Sequence, residues 1–256
     1  MSNSVLLKSS LAKKYWMAAT GLFLCTFLIG HLAGNLQLMM GISDADALQK
    51  TSTQFNEYAY FMTHNPFIKI LSYLTYFSIL FHSIDGIMLT IQNRKARPVN
   101  YAFNKPDANS KWQSRNMALL GSLILAFILM HMWMFWGIMH FGDLPEGTNR
   151  ATGHEIKDLY SLVLYTFALS ELAIMWVIIY TISMVVLALH LMHGFQSAFQ
   201  SLGLNHAKWT PIIKKAGMGF AILIPLLFAI IPIYMCFVLE IPEWMTVEWM
   251  EGHLGK

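Results

Sequence analysis

The sequence predicts an all-α integral membrane protein: a bundle of five transmembrane helices with its N-terminus in the cytoplasm and its C-terminus outside. Three observations predict it. Charged residues are only 12% of the 256, against 56% hydrophobic, where a soluble domain carries about 25% charged side chains. So little charge cannot solvate the surface of a globule this size, so much of that surface is expected to face lipid. Five apolar runs reach the roughly 20 residues needed to cross about 30 Å of hydrocarbon. Lys and Arg gather on one side of a chain threaded through those five runs, which sets orientation. The two cysteines, Cys25 and Cys236, each lie inside an apolar run. That excludes a disulfide framework and a Cys-rich zinc or iron–sulfur site.

The first run, Tyr15–Met40, is uncharged and far longer than a signal-peptide core, so it is expected to remain as an anchor. The second, Phe67–Ile91, is broken by Lys69 and Asp85, and the third, Asn116–Phe141, carries no charge. Leu159–Phe199 is too long for one crossing and is interrupted by Glu171. It reads as an interfacial helix over 159–170 followed by a span over 172–195. The last span, 216–239, contains Pro225 and Pro232, which predicts a kink that membrane helices tolerate. The stretch between the first two spans reads as an outer loop, and residues 1–256 as a single membrane domain without internal repeats. On the N-terminal side lie Lys8, Lys13, Lys14, Arg94, Lys95, Arg97, Lys111, Arg115, Lys214 and Lys215, among others; the opposite side keeps only Lys50, Lys69, Arg150, Lys157 and Lys256. Most of the acids fall on that opposite side.

Several of the ten histidines sit inside spans, where an ionisable side chain is costly and normally has a partner. At about 1.5 Å per residue, His31 lies about 24 Å and His131 about 22 Å from the cytoplasmic starts of two helices that run the same way. Counted the same way, His82 is about 14 Å short of its cytoplasmic end and His190 about 27 Å down a descending helix. The result is an outer pair, His31 with His131, and an inner pair, His82 with His190. Two imidazoles on opposite faces of one porphyrin make bis-histidine ligation, suited to electron transfer because no axial position stays open. Two b-type haems are therefore expected. Spacing leaves His193, three residues from His190, open as the alternative ligand. Gly86 and Gly194 follow His82 and His190 by one turn, and Gly30 and Gly34 flank His31, so these glycines are candidates to make room for a macrocycle. Arg94, Lys95 and Arg97 are candidate partners of haem propionates. His64 and His140 fall near the outer interface, while His154, His206 and His253 read as loop or tail residues.

With these residues in place, the chain resembles, from about Tyr15 to Leu239, the di-haem cytochrome b membrane anchor of succinate:quinone oxidoreductases (succinate dehydrogenases and fumarate reductases). The likeness rests on Ala19-Thr20-Gly21-Leu22-Phe23-Leu24 with Gly30-His31, and on His82 followed by Arg94 and Pro98-Val99-Asn100-Tyr101. His131, His190-Leu191-Met192-His193-Gly194 and Leu202-Gly203 complete it. The family's ligand on this helix lies about twelve residues before such a Leu-Gly pair, so the resemblance favours His190 over His193. It implies four axial iron ligands, His31, His131, His82 and His190. It also implies a flavoprotein and an iron–sulfur subunit on the cytoplasmic face, a membrane quinone expected to be menaquinone, and a bacterial cytoplasmic (inner) membrane. Dicarboxylate chemistry would belong to the partner subunits and quinone chemistry to the complex; nucleic acid has no part.

One departure concerns the proton. Some members carry a Glu two residues before the ligand on the fourth membrane helix, where this chain has Ala188. The quinone-site candidates are therefore Glu57, His64 and Asn65, ahead of the second span, where a carboxylate or imidazole could exchange the proton that quinone chemistry requires. Three rival readings stand beside this one: the cytochrome b subunit of another respiratory oxidoreductase, a haem-free transporter with histidines lining its path, and a purely structural anchor without haem. The second normally shows internal repeats and buried charge; the sequence has no repeat and little buried charge beyond Asp85.

Overall fold

The computed structural model describes residues 10–40, 45–96, 105, 108, 110–149, 152–241 and 247–254. It is 83% helical with almost no sheet, and five helices are long and apolar enough to cross a membrane. In chain order, α1 is Ser10–Asn35, continued by a 3-10 turn over Leu36–Met39; α2 is Ala45–His64; α3 is Pro66–Lys95. Helix α4 covers Met117–Phe141, with a π-helical turn over Met132–Gly137. Helix α5 is Leu159–Leu164, extended by a π turn over Tyr165–Leu169. Helix α6 is Ala173–Ser201, α7 is Trp209–Phe237 and α8 is Val247–His253. Between α4 and α5, β1 (Glu146–Thr148) and β2 (Glu155–Lys157) pair antiparallel, with Glu146 opposite Lys157.

The spanning helices α1, α3, α4, α6 and α7 match the five expected crossings. Four of them outrun their apolar segment at one end: α1 starts at Ser10, α3 reaches Lys95, α6 reaches Ser201 and α7 starts at Trp209. Hydropathy marks where hydrocarbon begins, whereas a helix goes on satisfying its backbone hydrogen bonds beyond that level. Pro225 and Pro232 do not end α7, which runs unbroken to Phe237.

One expectation fails outright. The stretch ahead of the second span is not a loop but the 20-residue helix α2. Its buried side chains Thr51, Phe55, Asn56 and Ala59 recur at helical spacing on one face. The face is too mixed in polarity for a search for long apolar runs to detect. A different sequence signal survives: Gly203, at φ +75°, closes α6 in the left-handed conformation. The Leu204 N–H reaches the Phe199 carbonyl at 3.0 Å and the Gly203 N–H the Gln200 carbonyl at 3.1 Å, the Schellman termination that glycine permits. The Leu202-Gly203 pair is therefore a helix stop.

The chain forms two compact units. Unit 1 is Met1–Ile29, Ser72–Leu125 and Val185–Pro225; unit 2 is Gly30–Leu71, Ala126–Met184 and Leu226–Lys256. Every boundary falls inside a spanning helix, so each of the five contributes one segment to each unit. In unit 1 a core of Cys25, Leu191 and Ala221 is covered by Leu28, Leu187, Phe195 and Phe220.

Unit 2 is built around α5, whose residues Tyr160–Leu164 are all buried. The segment expected at the membrane interface thus has its side chains enclosed by protein. Helix α2 packs on it through Phe55, edge-on to Tyr160 at 6.2 Å, and through Asn56. The Asn56 side chain accepts from the Tyr160 N–H (2.9 Å) and donates to Asp158 (2.8 Å). Asp158 also caps α5, accepting from the Ser161 N–H at 3.1 Å and its hydroxyl at 2.6 Å, and binds His253 of α8 at 3.1 Å. At the end of α2, the Asn65 side-chain oxygen accepts from the N–H groups of Phe67 (3.0 Å) and Ile68 (3.3 Å), capping α3 with Pro66 in its first turn. Asn65→Ala is expected to cost about 1 kcal/mol, read as a lower unfolding midpoint of the detergent-purified protein; an unchanged midpoint would show that the cap contributes nothing.

Candidate functional site

Each unit holds one histidine pair. In unit 2, His31 of α1 and His131 of α4 have ring centroids 5.9 Å apart with planes at 80°. In unit 1, His82 of α3 and His190 of α6 have centroids 6.2 Å apart with planes at 70°. A metal–imidazole nitrogen bond is about 2 Å, and a ring centroid lies roughly 1.2 Å behind its nitrogen, so two imidazoles on opposite sides of one iron have centroids about 6.4 Å apart. Both pairs fall close to that spacing. Among the described residues no group of three or more His, Cys, Asp or Glu is placed to hold a metal ion. A haem needs only two protein donors, because the porphyrin supplies the other four.

The hydrogen bonds bear on which nitrogen is free. His82 Nδ1 lies 3.1 Å from the Met17 carbonyl and 3.3 Å from the Thr20 hydroxyl, whose own proton goes to the Trp16 carbonyl at 2.7 Å. Both partners accept, so Nδ1 carries the proton and Nε2 keeps its lone pair. His131 Nδ1 lies 3.2 Å from the Tyr180 oxygen, and the Tyr180 O–H points to Met134 Sδ at 3.8 Å. Here too Nδ1–H donates and Nε2 is the available ligand, the second-shell arrangement that fixes a ligating histidine's tautomer. The Asn35 amide donates to the His31 carbonyl at 2.8 Å and lies 3.4 Å from its Nδ1, holding that ring's end of α1. His190 Nδ1 is buried with no hydrogen-bond partner in the structure. An unpaired buried imidazole nitrogen costs about 1–3 kcal/mol, and no partner fixes the tautomer of this ring as the Met17 carbonyl does for His82.

Aromatic rings frame the unit 2 pair: Phe228 against His31 at 5.5 Å, Phe127 stacked on His131 at 5.6 Å, and Phe135 edge-on to His131 at 5.5 Å. Tyr180, edge-on to Phe127 and Phe167, closes the cluster. In unit 1 the neighbours are small instead. A Cβ at Gly21 would lie 3.0 Å from His82 Cε1, and one at Gly121 3.8 Å from His190 Cε1. All four histidines remain half-buried. The donors, tautomers and small neighbours fit a bis-histidine haem in each unit.

The expected glycines divide. Gly194 borders the His190 ring, where its Cβ would lie 4.0 Å from Nε2, and Gly30 and Gly86 have no atom within 4 Å of a Cβ position. Gly34 is a correction: Tyr58 fills its space, since a Cβ there would come within 2.6 Å of the phenol. It lets α2 approach α1 and makes no room for a macrocycle. Burial also raises the Tyr58 phenol above its ordinary pKa. Arg94 and Lys95 are exposed at the end of α3, and Arg97 and the Pro98–Tyr101 motif lie outside the described residues. The sequence reading missed Tyr180, Asn35, Met17 and Gly121, and took Thr20 and Gly21 only as part of a string.

The quinone candidates are not gathered into one constellation. Glu57 and His64 lie two turns apart on α2, His64 stacks on Tyr60 at 3.8 Å with Nδ1 on its carbonyl at 2.9 Å, and Asn65 is occupied as a cap. His193 lines a polar cavity in unit 1 whose lining includes neither His82 nor His190. His140 stacks on Trp136, His154 on Tyr60, and His206 accepts from the Lys208 N–H. No protein-family model, curated protein or solved structure matches the chain.

Proposed function

We propose that this chain is a di-haem cytochrome b membrane anchor of a succinate dehydrogenase or fumarate reductase complex, passing electrons between an iron–sulfur subunit and a membrane quinone. One haem b sits between His31 and His131 and the other between His82 and His190. The observation that carries the reading is that both pairs stand at the spacing a shared iron requires, 5.9 and 6.2 Å between ring centroids. When bound, each haem would supply a one-electron couple. The chain's residues do the rest. Met17 and Tyr180 hold the protons of His82 and His131 on Nδ1 and leave each Nε2 its lone pair. The apolar helices keep water from the pairs, and the aromatic cluster fixes the His131 ring. The excess of Lys and Arg on one side of the chain supports a cytoplasmic N-terminus, and a basic surface there suits an acidic face on a docking partner. Glu57 and His64 are the proposed proton-exchanging groups near the quinone.

Haem stoichiometry and a reduced-minus-oxidised spectrum of the detergent-purified full chain test the reading. Two b-type haems per chain are expected; folded protein produced with ample haem and carrying none would overturn it. Gly21→Val gives a second test, because a branched side chain beside His82 Cε1 displaces a ring that Met17 pins. Haem content is expected to fall toward one per chain, with the His31–His131 site intact.

A further inference from the structure

The last turns of α6 interrupt an apolar helix with a polar stripe: His193, Gln196, Ser197 and Gln200 share one face. In unit 1 this face lines a cavity of about 300 Å3 together with Lys111 and Ser114 from the chain around the start of α4. Met192 and Met218 give it an apolar wall, and among the described residues no Asp or Glu lines it. Lys111 and His193 both line it, so an ammonium and an imidazole face one space with no described carboxylate to balance them. Hydroxyl and carboxamide donors surround the same space. Such a set suits a ligand with several anionic oxygens, while the Lys111 charge repels an ammonium. Trp112, next to Lys111 in the chain, and Trp209, at the start of α7, are both exposed, as aromatic residues at the headgroup level of a membrane are.

We propose that this cavity binds the phosphodiester of an anionic phospholipid, with Lys111 as the counter-ion, the Ser and Gln side chains as donors and the methionines against the start of the acyl chains. A zwitterionic lipid is disfavoured because its ammonium meets the Lys111 charge and no carboxylate among the described lining residues. The test is native mass spectrometry of the full chain, purified with its cofactors and delipidated, after exposure to dioleoyl phosphatidylglycerol or dioleoyl phosphatidylcholine. The wild type is expected to retain phosphatidylglycerol about five-fold better, the contribution of one well-placed lysine. Lys111→Gln and Gln196→Glu are each expected to abolish that preference with haem content unchanged. Gln196→Glu carries the test if Lys111→Gln does not fold. Equal retention of both lipids by the wild type overturns the proposal, as does a preference that survives in the folded variants. Displacement of the lipid by millimolar inorganic phosphate would assign the cavity to free phosphate. Haem loss with the lipid preference intact would assign it to a prosthetic-group carboxylate.

Discussion

Replacing His31 or His131 with alanine is expected to take the purified chain from two haems to one, and replacing His82 or His190 to remove the other. Each pair lies within one unit, and its rings stand 5.9 or 6.2 Å apart, so each iron depends on both of its own imidazoles and on neither of the other two. Deleting one ligand leaves a five-coordinate iron in an apolar site with a single bond to hold it. Pyridine haemochrome assay gives the count, and the low-temperature α-band shows which component is gone: His31 and His131 variants should lose the same one. If His31→Ala and His82→Ala removed the same component, the pairing would be wrong. His193→Ala is expected to keep both haems, because that side chain lines a cavity that neither His82 nor His190 lines; loss of the unit 1 haem would return the ligand role to His193.

Asp158→Ala is expected to be the most destabilising change outside the histidine pairs, by about 3 kcal/mol, combining a lost helix cap with orphaned buried partners. Its carboxylate takes hydrogen bonds from Asn56, from the backbone and hydroxyl of Ser161, and from His253. Removing it uncaps α5, strands an Asn56 amide that is only 7% exposed, and frees α8 from its hydrogen bond through His253. His253→Ala breaks only the last of these, at a site one-third exposed, and should cost far less. Denaturant unfolding of both variants separates the effects, and equal small losses would mean that the Asn56–Asp158 link does not hold unit 2 together.

The features legible in the sequence were those written in long-range hydropathy and in residue type. Five uncharged or nearly uncharged runs gave five helices, and four histidines at two depths became two pairs. The missed parts depend on what tertiary packing brings near. Thr20 and the Met17 carbonyl matter because α3 places His82 beside them, and Tyr180 matters because it reaches the ring of a residue 49 positions away. Helix α2 escaped because its buried face is half polar: Thr51 bonds the Met40 carbonyl and Asn56 bonds α5. Helical spacing at Thr51, Phe55 and Ala59 was present, but a search for 20 apolar residues does not read it.

The π turn at Met132–Gly137, immediately after His131, has a consequence for residue counting. A π turn holds one residue more than the α turn it replaces, so α4 carries a local surplus. Deleting one residue there would let the turn relax to α-helical winding with His131 left in place. Everything beyond it, His140 and Phe141 included, would then keep its direction relative to His131 although its number drops by one. Alignments of related chains should therefore tolerate a one-residue gap at this point and at few others along the helix. A deletion scan through α4 would find one position where loss of a residue is silent for haem binding, flanked by positions where the same loss rotates the helix by about 100° and abolishes it.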